Sequence, residues 1–110
     1  MTGRVVSFVV VAALLGATTH LQAQETGRPQ EGRARAQQLC AECHNVEKGS
    51  AGSPNPLAPS FEIVAAVPGM TSTALRAALQ TSHRTMPNIM LETNELADIV
   101  AYILSLKAGG

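Results

Sequence analysis

The pentapeptide CAECH, residues 40–44, contains both cysteines of this 110-residue chain and places a histidine directly after the second cysteine. Two cysteines at this spacing suit a disulfide or thiol redox pair, a zinc site, or the covalent attachment of a prosthetic group. A thioredoxin-like redox motif belongs to a βαβ unit, which the sequence does not indicate, and zinc needs about four ligands. These two chemistries fit poorly, although a bare disulfide or thiol pair stays as an alternative.

The third chemistry uses every reactive residue of the pentapeptide. In a C-x-x-C-H sequence the two thiols add across the vinyl groups of a haem, and the histidine that follows is held against one face of the iron. One turn of backbone sets the two sulfurs at the separation of the vinyl groups. The motif therefore predicts one covalent haem c, attached through Cys40 and Cys43, with His44 as an iron ligand.

The N-terminal residues have the pattern of a secretory signal peptide. Arg4 precedes an apolar run from Val5 to Ala17, and small residues follow. Such a run fits the roughly 7 to 15 apolar residues of a signal peptide and falls short of the about 20 that a membrane-spanning helix needs. We expect residues 1–23 to be a leader cleaved after Ala23, with no membrane span after its removal.

Composition limits what the exported part can be. Lys and Arg number 8, Asp and Glu number 8, and neither sign forms a block, so nucleic-acid binding is disfavoured. The whole chain has one Tyr, two Phe and no Trp, which gives one small domain a modest core. A domain of this kind often needs a disulfide, a metal or another staple, and a covalent haem would serve.

The remaining sequence is typical of one helical domain, residues 32–110, preceded by a flexible lead-in of residues 24–31. Good helix formers predict a first helix from about Gly32 to Ala41, and the proline-rich residues 49–59 predict a loop. No segment alternates as a strand would. The predicted fold is all-α, with four short helices and proline-rich connections.

Caps and apolar spacing indicate the three later helices. Ser60 is the predicted cap of the second helix, and Thr71 or Ser72 that of a third ending near Ser82. The last helix has Thr93 as predicted cap and Gly109 beyond its end, and its apolar residues recur at helical spacing. These apolar residues are Leu96, Ile99, Val100, Ile103 and Leu106.

Other polar and sulfur-containing residues have simple interpretations. Glu92, Glu95 and Asp98 are predicted to be favourable charges at the positive end of the last helix dipole. Met70 and Met90 are predicted to fill gaps in the core. No paired carboxylates and no Ser-His-Asp set indicate hydrolysis.

With these features the chain resembles the small class I c-type cytochromes of bacteria, which carry one haem, over about residues 30 to 107. Gly32 matches the family glycine at which the first and last helices cross closely, and Tyr102 matches the aromatic residue packed at that crossing. APSF, residues 58–61, resembles the segment whose proline carbonyl accepts a hydrogen bond from the haem-ligating histidine. The resemblance implies a cytochrome c-like fold around the haem, in which Pro59 orients His44.

The same resemblance implies a sixth iron ligand within HRTMPNIML, residues 83–91. The ligand in this family is typically a methionine in a loop after the third helix, often followed by proline, and Met86-Pro87 fits that pattern. Met90 and His83 are the alternatives. Apart from ligation, we expect His83 to be exposed or bonded to a backbone carbonyl.

Histidine and methionine together fill both axial positions of the iron, so the resemblance implies a one-electron carrier and not an enzyme. We expect a periplasmic monomer with redox partner proteins: a reductase or dehydrogenase as donor and an oxidase or reductase as acceptor. Two other functions stay open. The chain could be the cytochrome c subunit of a periplasmic dehydrogenase, or a haem-based ligand sensor with a displaceable methionine.

Overall fold

The computed structural model of the protein describes residues 26–49, 52–81, 83 and 85–108. Over these ranges the chain forms no strand and four helices: α1 (Pro29–Leu39), α2 (Phe61–Ala66), α3 (Ser72–Gln80) and α4 (Thr93–Ser105). The all-α prediction is confirmed. Within the same ranges, no helix combines the length and the apolar character that crossing a membrane requires. The predicted leader, residues 1–23, and Gly109 lie outside the described residues.

The first helix begins and ends earlier than predicted. It starts at Pro29 instead of Gly32, so the end of the predicted flexible lead-in, residues 29–31, is helical. Proline is pre-organised for the first turn of a helix, and Glu31 adds a favourable charge there. The helix ends at Leu39, so CAECH follows it as a turn.

Asp98 of α4 caps the N-terminus of α1. Its carboxylate is buried, and Oδ1 accepts a hydrogen bond from the backbone N–H of Arg28 at 2.7 Å. The Arg28 guanidinium donates to Oδ2 at 3.3 Å. The interpretation of Asp98 as a charge serving the dipole of its own helix is wrong, because this part of α4 faces α1. Asp98 instead provides an acceptor for a helix start that lacks a side-chain cap of its own.

Side-chain hydroxyls cap the two middle helices. Ser60 Oγ caps α2 by accepting the backbone N–H of Ile63 at 3.2 Å. Thr71 Oγ1 caps α3 by accepting the backbone N–H of Ala74, also at 3.2 Å. The prediction that Ser60 caps the second helix is therefore confirmed. Of the two candidates for the third helix, Thr71 is the cap and Ser72 is the first helical residue. This helix ends at Gln80, close to the predicted end at Ser82.

The last helix begins one residue earlier than predicted, and its cap is correspondingly one residue earlier. Glu92 is the N-cap, and Thr93 is the first helical residue. The Glu95 carboxylate accepts the backbone N–H of Glu92 at 3.1 Å, which satisfies a backbone donor just before the helix. Glu95 thus acts at the helix start, as predicted.

The core lies where α4 packs against the other three helices. All of the predicted apolar residues of α4 are buried in it. Met70 packs against this core as predicted. Met90 is 86% exposed, so its prediction as core filler is wrong. It lies in a non-helical segment before α4, where no helical periodicity directs its side chain inward.

The crossing of α1 and α4 at Gly32 and Tyr102 is as close as the resemblance implied. A Cβ added to Gly32 would lie 1.9 Å from the carbonyl oxygen of Asp98 and 2.8 Å from Cβ of Tyr102. A Cβ on Gly27 would lie 1.9 Å from the carbonyl oxygen of Ala97. Only glycine fits at these two positions, so the chain packs backbone against backbone.

Replacing Gly32 by Ala should therefore destabilise the protein, although alanine is the better helix former. We expect the free energy of unfolding, measured by urea denaturation, to fall by about 1–3 kcal/mol because the two helices must separate. Gln38→Ala, at an exposed position of the same helix, is the control and should change it by less than about 0.5 kcal/mol. A Gly32→Ala variant as stable as the wild type would contradict the tight crossing.

Candidate functional site

The CAECH segment forms a tight turn at the end of α1. Cys40 is the C-cap of the helix, and its carbonyl oxygen accepts hydrogen bonds from the backbone N–H groups of Cys43 and His44 at 3.2 and 2.9 Å. Both thiols are free, with Cys40 buried and Cys43 half-buried. One turn of backbone thus brings two thiols and an imidazole together.

The alternative chemistries of the two thiols gain no support from their surroundings. Burial raises the pKa of the Cys40 thiol to about 11, whereas a redox-active cysteine needs a lowered pKa. In the part of the chain that the structure describes, no group of three or more His, Cys, Asp or Glu side chains is placed to hold a metal ion. Thiol redox chemistry and zinc binding therefore both remain poor fits.

The His44 ring is oriented by the backbone of Pro59. Its Nδ1 lies 2.7 Å from the Pro59 carbonyl oxygen. Because a carbonyl oxygen only accepts, Nδ1 carries the proton, and the lone pair of Nε2 is left free to bind a metal. The hydrogen bond that the resemblance implied is present. The buried ring of Phe61 lies beside the imidazole, with 5.6 Å between the ring centroids.

The loop before α2 binds the backbone on either side of the histidine. The Asn55 N–H donates to the carbonyl oxygen of Cys43 at 3.1 Å, and the Asn45 N–H donates to Ser53 Oγ at 2.9 Å. The carbonyl oxygen of Asn45 accepts the Phe61 N–H at 2.9 Å. The sequence predicted only a loop here. Serine and asparagine commonly bind nearby backbone in such loops, but their partners could not be predicted from spacing.

Tyr102 connects α4 to the same segment. Its buried hydroxyl donates to the carbonyl oxygen of Val46 at 2.5 Å, and its ring centroid lies 6.5 Å from that of Phe61. Burial raises the pKa of Tyr102, so the hydroxyl keeps its proton and remains a donor at neutral pH. The residue that packs at the helix crossing therefore also holds the segment after His44.

A polar cluster of Glu47, Gln37 and Arg33 joins the chain just after Val46 to α1. The Glu47 carboxylate accepts from the Gln37 amide at 2.6 Å and from Arg33 Nε at 3.1 Å. The hydrogen bond from Gln37, followed by that from Arg33, lowers the pKa of Glu47, because both favour the charged carboxylate. The same carboxylate raises the pKa of Arg33.

The side chains around the turn fit a haem. Five large apolar side chains are between 41% and 86% exposed: Leu39, Leu57, Ile63, Val67 and Met90. Leu39 precedes the turn, Leu57 lies two residues before Pro59, Ile63 lies within α2 and Val67 is its C-cap. Large apolar side chains line most cofactor sites in proteins. Two thiols and an imidazole with a free Nε2 are the groups that haem c requires.

The candidates for a second axial ligand differ in their surroundings. Met86 is half-buried, and its N–H donates to the carbonyl oxygen of His83 at 3.1 Å. Met90 is exposed. His83 is exposed and its Nδ1 lies 3.0 Å from the carbonyl oxygen of Thr81, so the prediction that it is exposed or bonded to a backbone carbonyl is confirmed. His44 makes the same kind of contact, so this hydrogen bond does not distinguish a ligand from a non-ligand. The selection of Met86 as the ligand stays a prediction.

The polar cluster predicts a pH dependence of stability. Because the folded-state pKa of Glu47 lies below the ordinary value of a glutamate, the stability that this carboxylate provides is present above about pH 5 and is lost as the pH falls through the folded-state pKa. Between about pH 5 and pH 3, the free energy of unfolding should fall more for the wild type than for Glu47→Gln. Glu42→Gln, at an exposed position, is the control for loss of one carboxylate. Equal slopes for wild type and Glu47→Gln would contradict this role.

One comparison with known proteins identifies a family for the chain. A protein-family model described as cytochrome c oxidase, cbb3-type, subunit III, matches residues 27–103. Among curated proteins and solved structures no match was found. The matched range begins at Gly27, includes the CAECH turn and ends within α4. The chain therefore belongs to this family of c-type cytochrome domains and is a small class I c-type cytochrome, a protein of haem-based electron transfer.

Proposed function

We propose that the protein is an exported, periplasmic one-electron carrier and not an enzyme. Its single haem c is bound covalently by Cys40 and Cys43 and ligated by His44 and Met86. The observation that carries the proposal is the 2.7 Å hydrogen bond from His44 Nδ1 to the Pro59 carbonyl oxygen, made within a C-x-x-C-H turn. This bond fixes the tautomer that ligates through Nε2 and makes the imidazole a better electron donor.

Each residue of the site has a separate role in this proposal. The thiols of Cys40 and Cys43 would each add across one vinyl group of the haem, with sulfur bonding to one vinyl carbon and the thiol hydrogen going to the other. Bound haem supplies the one-electron redox chemistry. His44 and Met86 would hold the iron and together would leave it no position for another ligand, and a thioether ligand would raise the reduction potential.

The surface charges do not form a strongly charged docking face. They favour weak, transient contacts with redox partners. The three arginines of the α1 region each lie close to a carboxylate: Arg28 to Asp98, Arg33 to Glu47 and Arg35 to Glu95. These pairs neutralise the positive charge of that helix. The docking surface of this proposed monomer is therefore apolar or mixed, and its donor and acceptor are a dehydrogenase or reductase and an oxidase or reductase.

A second candidate is favoured by the description of the matching family, which names an oxidase subunit. In that case the chain is the cytochrome subunit of a larger redox complex, either an oxidase or the periplasmic dehydrogenase predicted above. The haem site and its ligands are then unchanged. Stable co-purification with a larger enzyme favours the subunit, and a monomeric exported protein favours the carrier.

The axial ligands can be tested by visible absorption of protein that is exported together with the haem-attachment machinery. We expect a c-type reduced spectrum, and in the oxidised wild type a weak far-red band from the sulfur–iron bond. Met86→Ala should lose this band, and Met90→Ala, the matched control, should keep it.

The other outcomes of this experiment reject particular parts of the proposal. A band lost only in Met90→Ala moves the ligand to Met90, and a wild type without the band excludes methionine and favours His83. Carbon monoxide binding to the reduced wild type at neutral pH would favour the ligand sensor over the carrier. Wild-type protein without haem would contradict the proposed function as a whole.

A further inference from the structure

We infer that Ser53 is a positioning residue for His44. Its hydroxyl holds the backbone amide of Asn45, and through that amide it maintains the hydrogen bond between His44 and Pro59. The inference rests on the proposed ligation of haem by His44, and it adds a residue of the loop that tunes this ligand without touching the haem.

The first step is the set of contacts around the histidine. Every residue from Cys43 to Val46 is held by a partner outside the turn. The partners are the Asn55 N–H, the Pro59 carbonyl oxygen, Ser53 Oγ together with the Phe61 N–H, and the Tyr102 hydroxyl. The contact from Ser53 is made by its side chain, whereas Asn55 and Phe61 use backbone atoms. One substitution at Ser53 therefore removes this contact and leaves the backbone contacts in place.

The second step is the planarity of the peptide group. The N–H that Ser53 accepts at 2.9 Å belongs to the peptide that joins His44 to Asn45. Because this peptide is planar, fixing its N–H fixes the rotation of the whole group relative to the His44 Cα. The other end of Asn45 is held by the Phe61 N–H at 2.9 Å, two residues after Pro59. Ser53 thus holds the peptide between His44 and Asn45, and the segment that follows Pro59 holds the peptide after Asn45.

The third step is the chemistry of the axial ligand. A strong hydrogen bond from Nδ1 increases electron donation by the imidazole, which favours the oxidised state of a bound iron. At 2.7 Å the bond to Pro59 is short for N–H···O. Without the Ser53 contact the His44–Asn45 peptide rotates more freely, and the average strength of this bond falls. The reduction potential therefore rises.

The test compares holoproteins of the wild type, Ser53→Ala, Ser53→Thr and Ser72→Ala. Two quantities are measured: the midpoint potential, and the hydrogen-exchange rate of the His44 ring N–H by NMR of the reduced protein. Ser53→Ala should have a more positive potential and about fivefold faster exchange, as expected from loss of one hydrogen bond. Ser53→Thr keeps the hydroxyl and should restore both values. Ser72→Ala, which removes an exposed hydroxyl that accepts a hydrogen bond from Arg76, should change neither.

Two results would overturn the inference alone. One is a Ser53→Ala holoprotein with wild-type potential and exchange, even if its unfolding temperature is lower. The other, which needs no variant, is an Asn45 amide in the wild type that exchanges as fast as a free amide; this measurement decides the matter if Ser53→Ala retains no haem. A wild type without haem, or with a ligand other than His44, overturns the proposed function together with this inference.

Discussion

Where α1 crosses α4, the backbone of Gly32 runs against the carbonyl of Asp98, and no side chain fits between them. The carboxylate of the same Asp98 accepts the first N–H of the approaching helix. A chain with one Tyr, two Phe and no Trp has little aromatic bulk to fill a wide gap, so its helices must approach closely to exclude water. This contact places everything else: α2 and α3 also pack on α4, and the CAECH turn continues directly from α1.

The crossing reaches the proposed haem site through Tyr102. Its ring packs at the crossing near Gly32, and its hydroxyl holds the carbonyl oxygen of Val46, two residues after His44. From the other side, the loop and the start of α2 bind the same short segment through Ser53, Pro59 and Phe61. The polypeptide therefore holds the histidine from two directions. Such pre-organisation would keep His44, as the proposed ligand, in place when the charge of the iron changes, and would limit the rearrangement that accompanies electron transfer.

Much of this was predictable because local signals and motif chemistry agreed. Apolar spacing fixed the buried face of α4, a serine fixed the start of α2, and the motif together with the family resemblance located His44, Pro59 and the crossing glycine. What could not be predicted depends on distant partners. Asp98 looks like any acidic residue near a helix start until α1 is placed against it, and Ser53 is one of several small polar loop residues. Met70 and Met90 both suit irregular apolar gaps and both lie outside helices, yet only Met70 packs against the core, because burial in such segments depends on distant partners.

The central claim is that one haem is attached covalently through Cys40 and Cys43. The measurement that tests it most directly is the intact mass, under denaturing conditions, of protein exported by cells that contain haem-attachment machinery. A Cys40→Ala/Cys43→Ala double variant is measured beside the wild type. Denaturation releases a haem that is held only by axial ligands, whereas thioether bonds survive it. The account predicts a wild-type mass that exceeds the exported polypeptide by one haem, and a double variant with the mass of its polypeptide alone. A wild-type mass equal to the polypeptide, or lower by the two hydrogens of a disulfide, would contradict it and return the CAECH turn to thiol chemistry.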